Sequence, residues 1–495
     1  MVGPEVPRCL GSGGGASTEV AYSPLQHQAQ QLTMHNSEST RGPSDSSSQY
    51  SGSRYTQSRS SDQYRTRPDI PRRVHILGTG SVGKLVAHAL RTLPNPPPVT
   101  LILHRRELYR RWQASDKTIT VQTDGYEDNK DGFDVELAVP PRREYSQNVL
   151  EGAQSVHSLQ SEAETGSKPH EQAETRHESS SDLSVTDQPP FESSNSGPVA
   201  EEDPSTTSEP IHNLILTVKA PSTISALSSI RHRLGPSSTI CFLQNGMGIL
   251  DEVNQKLFTD LATRPNYMQG IVTHGAHQVR GNDFGVVHAG HGTLALGLLP
   301  RELPSPTPNE PSQPWAASSR FLLRTLTRSP ILCAAGFAPT ELLQLQLEKL
   351  AVNAVINPLT VLLDARNGSL LYNFALTRTM RLLLAEISLV IRSLPELRGL
   401  PNVAQRFSPE RLETLCVSVA DRTKGNISSM LADVRAGRRT EVEYISGYVV
   451  RRGEEMGMKC VVNYAVMQMV VGKQQMVDRE RQGEVPVLRE GREKL

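Results

Sequence analysis

The most constraining stretch of this chain is short. Val74-His75-Ile76-Leu77 reads as a strand, Gly78-Thr79-Gly80-Ser81-Val82-Gly83 follows without a break, and Lys84-Leu85-Val86-Ala87-His88-Ala89-Leu90 continues as a helix. Three glycines at this spacing have separate duties: a tight turn at Gly78, close approach of backbone to a pyrophosphate at Gly80, and helix-to-strand packing at Gly83. The helix N-terminus would then face the phosphates. A GxGxxG alone is a weak signal, because glycines cluster in loops. Here it lies between a strand and a helix, and a second buried strand, Val99 to Leu103, comes next. Gly78, Thr79, Gly80, Ser81, Val82 and Gly83 are therefore candidate cofactor-binding residues.

A site selective for NAD usually ends its second strand with an acid that holds the ribose 2′-hydroxyl. This strand ends Leu103-His104-Arg105-Arg106. A guanidinium at that place suits the 2′-phosphate of NADP, so the cofactor expected is NADPH/NADP+, with Arg105 first and Arg106 second as specificity residues. The alternative is that both arginines are ordinary surface charges.

Other β-branched runs are Leu214 to Val218, Thr239 to Leu243, Ile271 to Thr273, Val286 to His288 and Thr293 to Leu296. The first four runs of the chain are continuous rather than alternating, as in a parallel sheet buried on both faces. Beyond Pro339 the period becomes helical, with helices expected at about 340–363, 374–393, 409–421 after a capping Ser408, 427–438, 440–456 and beyond Asn463. The fold class expected is α/β plus all-α: a Rossmann-type dinucleotide-binding domain over residues 72–338, then a helical C-terminal substrate and catalytic domain over 339–482. Residues 1–71 are Ser-, Gly- and Gln-rich, and read as a disordered leader. An insertion at about 145–210 reads the same way, a Pro-rich loop at 302–314 reads as an exposed connector, and residues 483–495 are left as a tail. The hydrophobic fraction of 37% fits a chain of which a good part does not fold.

Formal net charge is zero, so no overall field draws the chain to nucleic acid or an anionic membrane. Five scattered cysteines, with no CxxC pair, read as reduced thiols, and no metal site is expected. No apolar run approaches the roughly 20 residues of a membrane span. The location expected is cytoplasmic; the Ser- and Arg-containing leader leaves a mitochondrial one open, although Glu5, Glu19, Glu38 and Asp45 argue against a transit peptide.

Chemistry concentrates in Glu348-Lys349-Leu350-Ala351-Val352-Asn353-Ala354-Val355-Ile356-Asn357. Lys349, Asn353 and Asn357 are spaced by four, each roughly 40° further round a helix, so they share one face. An ammonium and two amides among apolar residues are expensive to bury unless they serve one another or a ligand. The competing reading is a structural network holding inter-domain backbone.

This helix resembles the central motif of the ketopantoate reductases (2-dehydropantoate 2-reductases). Further marks of that family follow in order: the turn at Gly78, Leu216-Thr217-Val218-Lys219-Ala220, Gln244-Asn245-Gly246-Met247-Gly248, Thr273-His274-Gly275-Ala276, Asn367-Gly368, Asn426-Ile427-Ser428-Ser429-Met430 and Arg438-Arg439-Thr440-Glu441. The resemblance covers nearly everything from Arg73 to about Met476 outside the low-complexity segments. It implies that Lys349 is the general acid and that Asn245 lies near nicotinamide and substrate. It also implies that Asn353, Asn357, Asn367, Asn426 and Ser429 hold the substrate, and that Glu441 anchors its hydroxyl beside the lysine. Lys219, at a strand end, is a further cofactor-contact candidate, with a solvated lysine as the alternative. One departure is Ser446-Gly447, where the family often has Asn-Gly; altered packing rather than loss of reaction is expected.

The implied reaction is reduction of a small 2-oxo acid, 2-dehydropantoate, to pantoate, on the route to pantothenate and coenzyme A. Hydride goes to C2 while charge grows on the ketone oxygen, which a protonated, desolvated lysine can meet. Glu441 could also keep Lys349 protonated; its bland alternative is a surface ion pair with Arg438 or Arg439. Other readings stay open: a reductase of another 2-oxo acid or an imine, or a non-catalytic NADP-binding regulatory protein. A homodimer is also left open. His274 and His277 lack a third ligand and read as loop or core histidines.

Overall fold

A computed structural model describes residues 71–138, 208–301 and 315–483. Nearly all of the expected leader, of the insertion and of the tail, and the whole Pro-rich loop, lie outside the described residues.

The α/β half is built on an eight-stranded sheet. Strands β1 (Val74–Leu77), β2 (Val99–Leu103), β6 (Asn213–Leu216) and β7 (Thr239–Phe242) are buried along their whole length, as their continuous apolar runs require. With β5 (Phe133–Leu137), β8 (Asn266–Val272), β11 (Leu294–Leu298) and β12 (Ala334–Gly336) the order is β12-β11-β8-β7-β6-β1-β2-β5. All pairs are parallel except β11 with β8. Apolar clusters cover both faces. The flanking helices are α1 (Ser81–Arg91), α2 (Arg106–Gln113), α3 (Thr223–Ile230), α4 (Ile249–Lys256) and α5 (Ala317–Thr327).

Five strands have no counterpart in the sequence expectations: β3 (Ile119–Thr123), β4 (Tyr126–Lys130), β5, β9 (Gly275–Gln278) and β12. The first two form a hairpin, which β10 (Gly285–Gly290) and β9 extend to a four-stranded sheet in the order β4-β3-β10-β9. Its turn is Asp124-Gly125, both with positive φ, 50° and 85°. An Asp-Gly pair is the strongest short-range hairpin signal. β4, Tyr-Glu-Asp-Asn-Lys, is almost wholly exposed, so no apolar pattern announced it.

The helical half contains α6 (Pro339–Leu363), α7 (Phe374–Ser393), α8 (Val403–Arg406), α9 (Pro409–Arg422), α10 (Ser429–Arg435), α11 (Val442–Glu455) and α12 (Val461–Gln482). Ser408 caps α9 as expected, accepting from Arg411 N at 3.2 Å. α10 is shorter than the span expected at 427–438, because Ser428 takes the N-cap and accepts from Leu431 N at 3.1 Å. Glu386 of α7 closes the start of α12, accepting from Val462 N and Asn463 N at 2.9 Å each. The long α6 runs back to the sheet, where Leu342 and Leu345 pack on Ile271 and Ala295. Among the described residues no helix is long and apolar enough to cross a membrane.

Candidate active site

The glycine turn shows what each glycine does. Gly78 has φ 108°, and a Cβ there would stand 2.6 Å from Val218 N. A Cβ on Gly83 would stand 2.0 Å from Gly78 O and 2.6 Å from Thr217 Oγ1. Both are glycine for the protein's own packing. Gly80 differs: its φ of −70° suits any residue, and a Cβ would meet nothing within 4 Å. The fold leaves that space to something else. Gly80 is also the N-cap of α1, whose first turn has no side-chain cap and no acid. Unfilled N–H groups with glycine beside them form a cradle for a phosphate group. Thr79, Ser81 and Val82 are half-buried around it. Arg105, at the end of β2, is exposed and N-caps α2, and Arg106 is the first residue of that helix, also exposed.

In the helical half, Lys349 on α6 donates from Nζ to Asn245 Oδ1 at 2.8 Å and to Val272 O at 2.7 Å. Both acceptors belong to the α/β half, one in the loop after β7 and one at the end of β8. Burial pushes the Lys349 ammonium down from 10.5 to about 8, with the charge of Glu441 pulling the other way. Asn245 is held in turn, because its Nδ2 donates to Glu441 Oε2 at 3.2 Å. Gly246 has φ 85°, and a Cβ there would stand 2.6 Å from Tyr444 O, so the loop lies directly on α11. Met247 N completes that contact, donating to Tyr444 O at 2.8 Å.

Glu441 is the N-cap residue of α11 and is 4% exposed. Its Oε1 accepts from Ala220 N at 3.2 Å, and its Oε2 stands 3.5 Å from Lys219 Nζ. The surface-pair alternative fails: Arg438 goes to Asp433 and Arg439 to Glu443. Lys219 is partly exposed, and its Nζ donates to Asp433 Oδ2 at 2.8 Å. Desolvation lowers its pKa, but Glu441 and Asp433 together outweigh that and the net shift is upward.

The remaining amides separate into two groups. Asn353 and Asn357 continue the Lys349 face of α6, and among the described residues neither side chain has a protein partner, which favours a ligand over a structural ladder. Asn426 and Ser429 are exposed at the start of α10. Asn367 is tied down: its N donates to Asn426 O at 2.9 Å and its Nδ2 to Thr423 Oγ1 at 2.9 Å. It shapes the turn that carries Asn426. Ser446 is fully buried in α11, away from solvent, and its Oγ has no partner among the described residues.

Sequence reasoning missed three participants. Val272 and Ala220 act through backbone atoms, which no side-chain pattern reveals. Asp433 sits one helical turn beyond Ser429, buried and charged; its spacing of four from Ser429 was the available signal. His274 accepts from Gly292 N at 3.1 Å and faces His288 Nε2 at 3.0 Å, as a core histidine would, and His277 is exposed. Among the described residues no group of three or more His, Cys, Asp or Glu is placed to hold a metal ion.

Two family models match: Ketopantoate reductase PanE/ApbA over residues 166–301, and Ketopantoate reductase PanE/ApbA C terminal over 341–474. The chain is 32% identical over 259 residues to a protein described as a probable 2-dehydropantoate 2-reductase of Schizosaccharomyces pombe, covering 52% of this chain and 72% of that one. A ketoisovalerate reductase of Gibberella fujikuroi is 26% identical, covering 77% of this chain and 78% of its own. Among solved structures, a D-mandelate dehydrogenase with NADH and anilino(oxo)acetate superposes with a TM-score of 0.55 at 16% identity, covering 82% of this chain and 99% of that one, which shows a shared fold. With its sheet, its helical half and models spanning more than half of its 495 residues all in agreement, this chain belongs to the ketopantoate reductase family of oxidoreductases.

Proposed function

We propose that this protein reduces 2-dehydropantoate to pantoate with NADPH, and that Lys349 donates the proton. The observation that carries the reading is the placement of the Lys349 ammonium: on the apolar helix α6, bridging to Asn245 and Val272 of the α/β half, and lowered to about 8.

The dinucleotide supplies the hydride when bound. Gly80 and the α1 N-terminus would hold its pyrophosphate, and Arg105, with Arg106 beside it, the 2′-phosphate. Lys219 and Asn245 stand where the loops after β6 and β7 open at the carboxyl edge of the sheet, the usual ligand edge of an open α/β fold. Asn353, Asn357, Asn426 and Ser429 orient the substrate by neutral hydrogen bonds that do not compete with its carboxylate. As the C2 carbonyl gains hydride and its oxygen gains charge, Lys349 meets that oxygen with both charge and proton. Glu441 accepts from the substrate's hydroxyl and favours the charged form of Lys349.

A second substrate is favoured by one observation. The match to the Gibberella ketoisovalerate reductase extends over 77% of this chain, against 52% for the Schizosaccharomyces relative. The two oxo acids differ by one hydroxymethyl group, whose hydroxyl Glu441 is assigned to hold. A site built around that hydroxyl should reject the acid lacking it by orders of magnitude, while an apolar pocket would not. NADPH oxidation with each acid, repeated with NADH and with Lys349→Ala, decides between them. Turnover with 2-dehydropantoate that Lys349→Ala abolishes supports the reading. Comparable kcat/KM for 2-oxoisovalerate moves the substrate to that acid, and NADPH binding without turnover of either removes the enzyme reading.

A further inference from the structure

Asp433 is 2% exposed and holds two cations: Oδ2 accepts from Lys219 Nζ at 2.8 Å and Oδ1 from Arg438 Nε at 3.1 Å. A buried carboxylate needs partners, but this arrangement also divides one ammonium between two acids. Lys219 stands closer to Asp433 than to Glu441, where the separation is 3.5 Å. Glu441 Oε2 is shared between the more distant Lys219 and Asn245 Nδ2, which donates to it at 3.2 Å, and Asn245 Oδ1 in turn accepts from Lys349 at 2.8 Å.

We propose that Asp433 is a positioning residue that draws the Lys219 ammonium off Glu441, so that the charge of Glu441 is directed through Asn245 at Lys349. This rests on the assignment of Lys349 as proton donor. Without the Asp433 carboxylate, Lys219 closes onto Glu441 as a full ion pair. The field that supports protonated Lys349 is then weakened, and Lys349 gives up its proton at lower pH. Neighbouring charges do not replace it. Arg435 of α10 turns to Asp364 at 2.9 Å, Arg439 to Glu443 at 2.8 Å, and Glu348, beside Lys349 in sequence, is taken by Arg406 at 3.0 Å.

The test reads Lys349 directly. The whole protein without substrate is acylated with acetic anhydride across a pH series, and the Lys349 peptide is quantified by mass spectrometry. In Asp433→Asn the midpoint of Lys349 reactivity should fall by about half a pH unit or more, making Lys349 roughly threefold or more reactive at neutral pH. Lys219→Gln should move the midpoint the other way. Lys219→Gln/Asp433→Asn removes the buried pair together, which proteins tolerate better than a stranded charge, and it should match Lys219→Gln alone. A structural role would lower the melting temperature and leave every midpoint in place. An unmoved midpoint in Asp433→Asn overturns the proposal. Should that variant not fold, a midpoint in the double variant far from that of Lys219→Gln overturns it equally. Labelling needs no turnover, so a shifted midpoint with an unchanged pH dependence of kcat/KM would instead refute the assignment of Lys349 as donor.

Discussion

A lysine held near 8 has two opposed pH signatures. Its protonated form is the donor, so kcat/KM should be level below about 8 and fall roughly tenfold per unit above it, measured with 2-dehydropantoate at constant ionic strength. For stability the sign reverses. The folded pKa lies below the ordinary 10.5, so the unfolded chain binds more protons between about 8 and 10.5, and the contribution of this residue to stability rises across that window. Lys349→Met should therefore lose activity by about 10²-fold or more while raising, not lowering, the melting temperature at neutral pH. A variant that is both inactive and markedly less stable would point to the structural reading of this helix. Lys349, Asn353 and Asn357 were legible because residue type and spacing suffice to place three side chains on one face. The carbonyl of Val272, which receives Lys349, was not, since every residue carries a carbonyl and only the fold decides which one is near.

The glycine turn and first helix separate packing from binding within one element. Gly83→Ala would drive a Cβ into Gly78 O at 2.0 Å, a backbone contact that cannot relax cheaply, so the turn must shift. Gly80→Ala meets no protein atom within 4 Å. The expected outcome is that Gly83→Ala lowers the melting temperature by several degrees or does not fold. Gly80→Ala should keep the wild-type melting temperature and weaken NADPH binding about tenfold or more, by titration of the cofactor's fluorescence. Equal loss of stability in both would refute the cradle. A second element-level device is the Glu386 carboxylate at the start of α12, which accepts from two backbone N–H groups and from Asn463 Nδ2 at 2.8 Å. Glu386→Ala should cost about 1–2 kcal/mol by denaturant unfolding. Helices such as α7 and α9 were readable to within a residue, because apolar period and a Ser or Asn cap act locally. Strands β3 and β4 escaped because β4 is almost wholly exposed and the pairing of β3 with β10 joins residues far apart in sequence.

Taken as one body, the described part of the chain has cores that interlock rather than abut. Met247, from the loop after β7, belongs to the apolar cluster of the helical half, and Tyr444 of α11 belongs to the cluster on one face of the sheet. Leu342 and Leu345 of α6 form a third cluster with Ile271 and Ala295. The loop carrying Asn245 is thus held by both halves, and Gly246 is where they touch: a Cβ there meets Tyr444 O at 2.6 Å and Tyr444 Cβ at 2.7 Å. No sequence pattern specifies this contact, because its partners lie about 200 positions apart and a glycine's need for space depends on what the fold brings against it. Gly246→Ala should lift the loop from α11, break the Met247 N to Tyr444 O bond and draw Asn245 from both Glu441 and Lys349. A shift of about 1 Å at such a group can cost about 10²-fold in rate. The expected result is a fall in kcat of that order, with NADPH affinity near wild type, because the glycine turn at Gly78 lies on a different loop. Loss of cofactor binding in step with kcat would mean that the halves do not meet through this loop as a separate joint, and that its displacement unsettles the whole sheet edge.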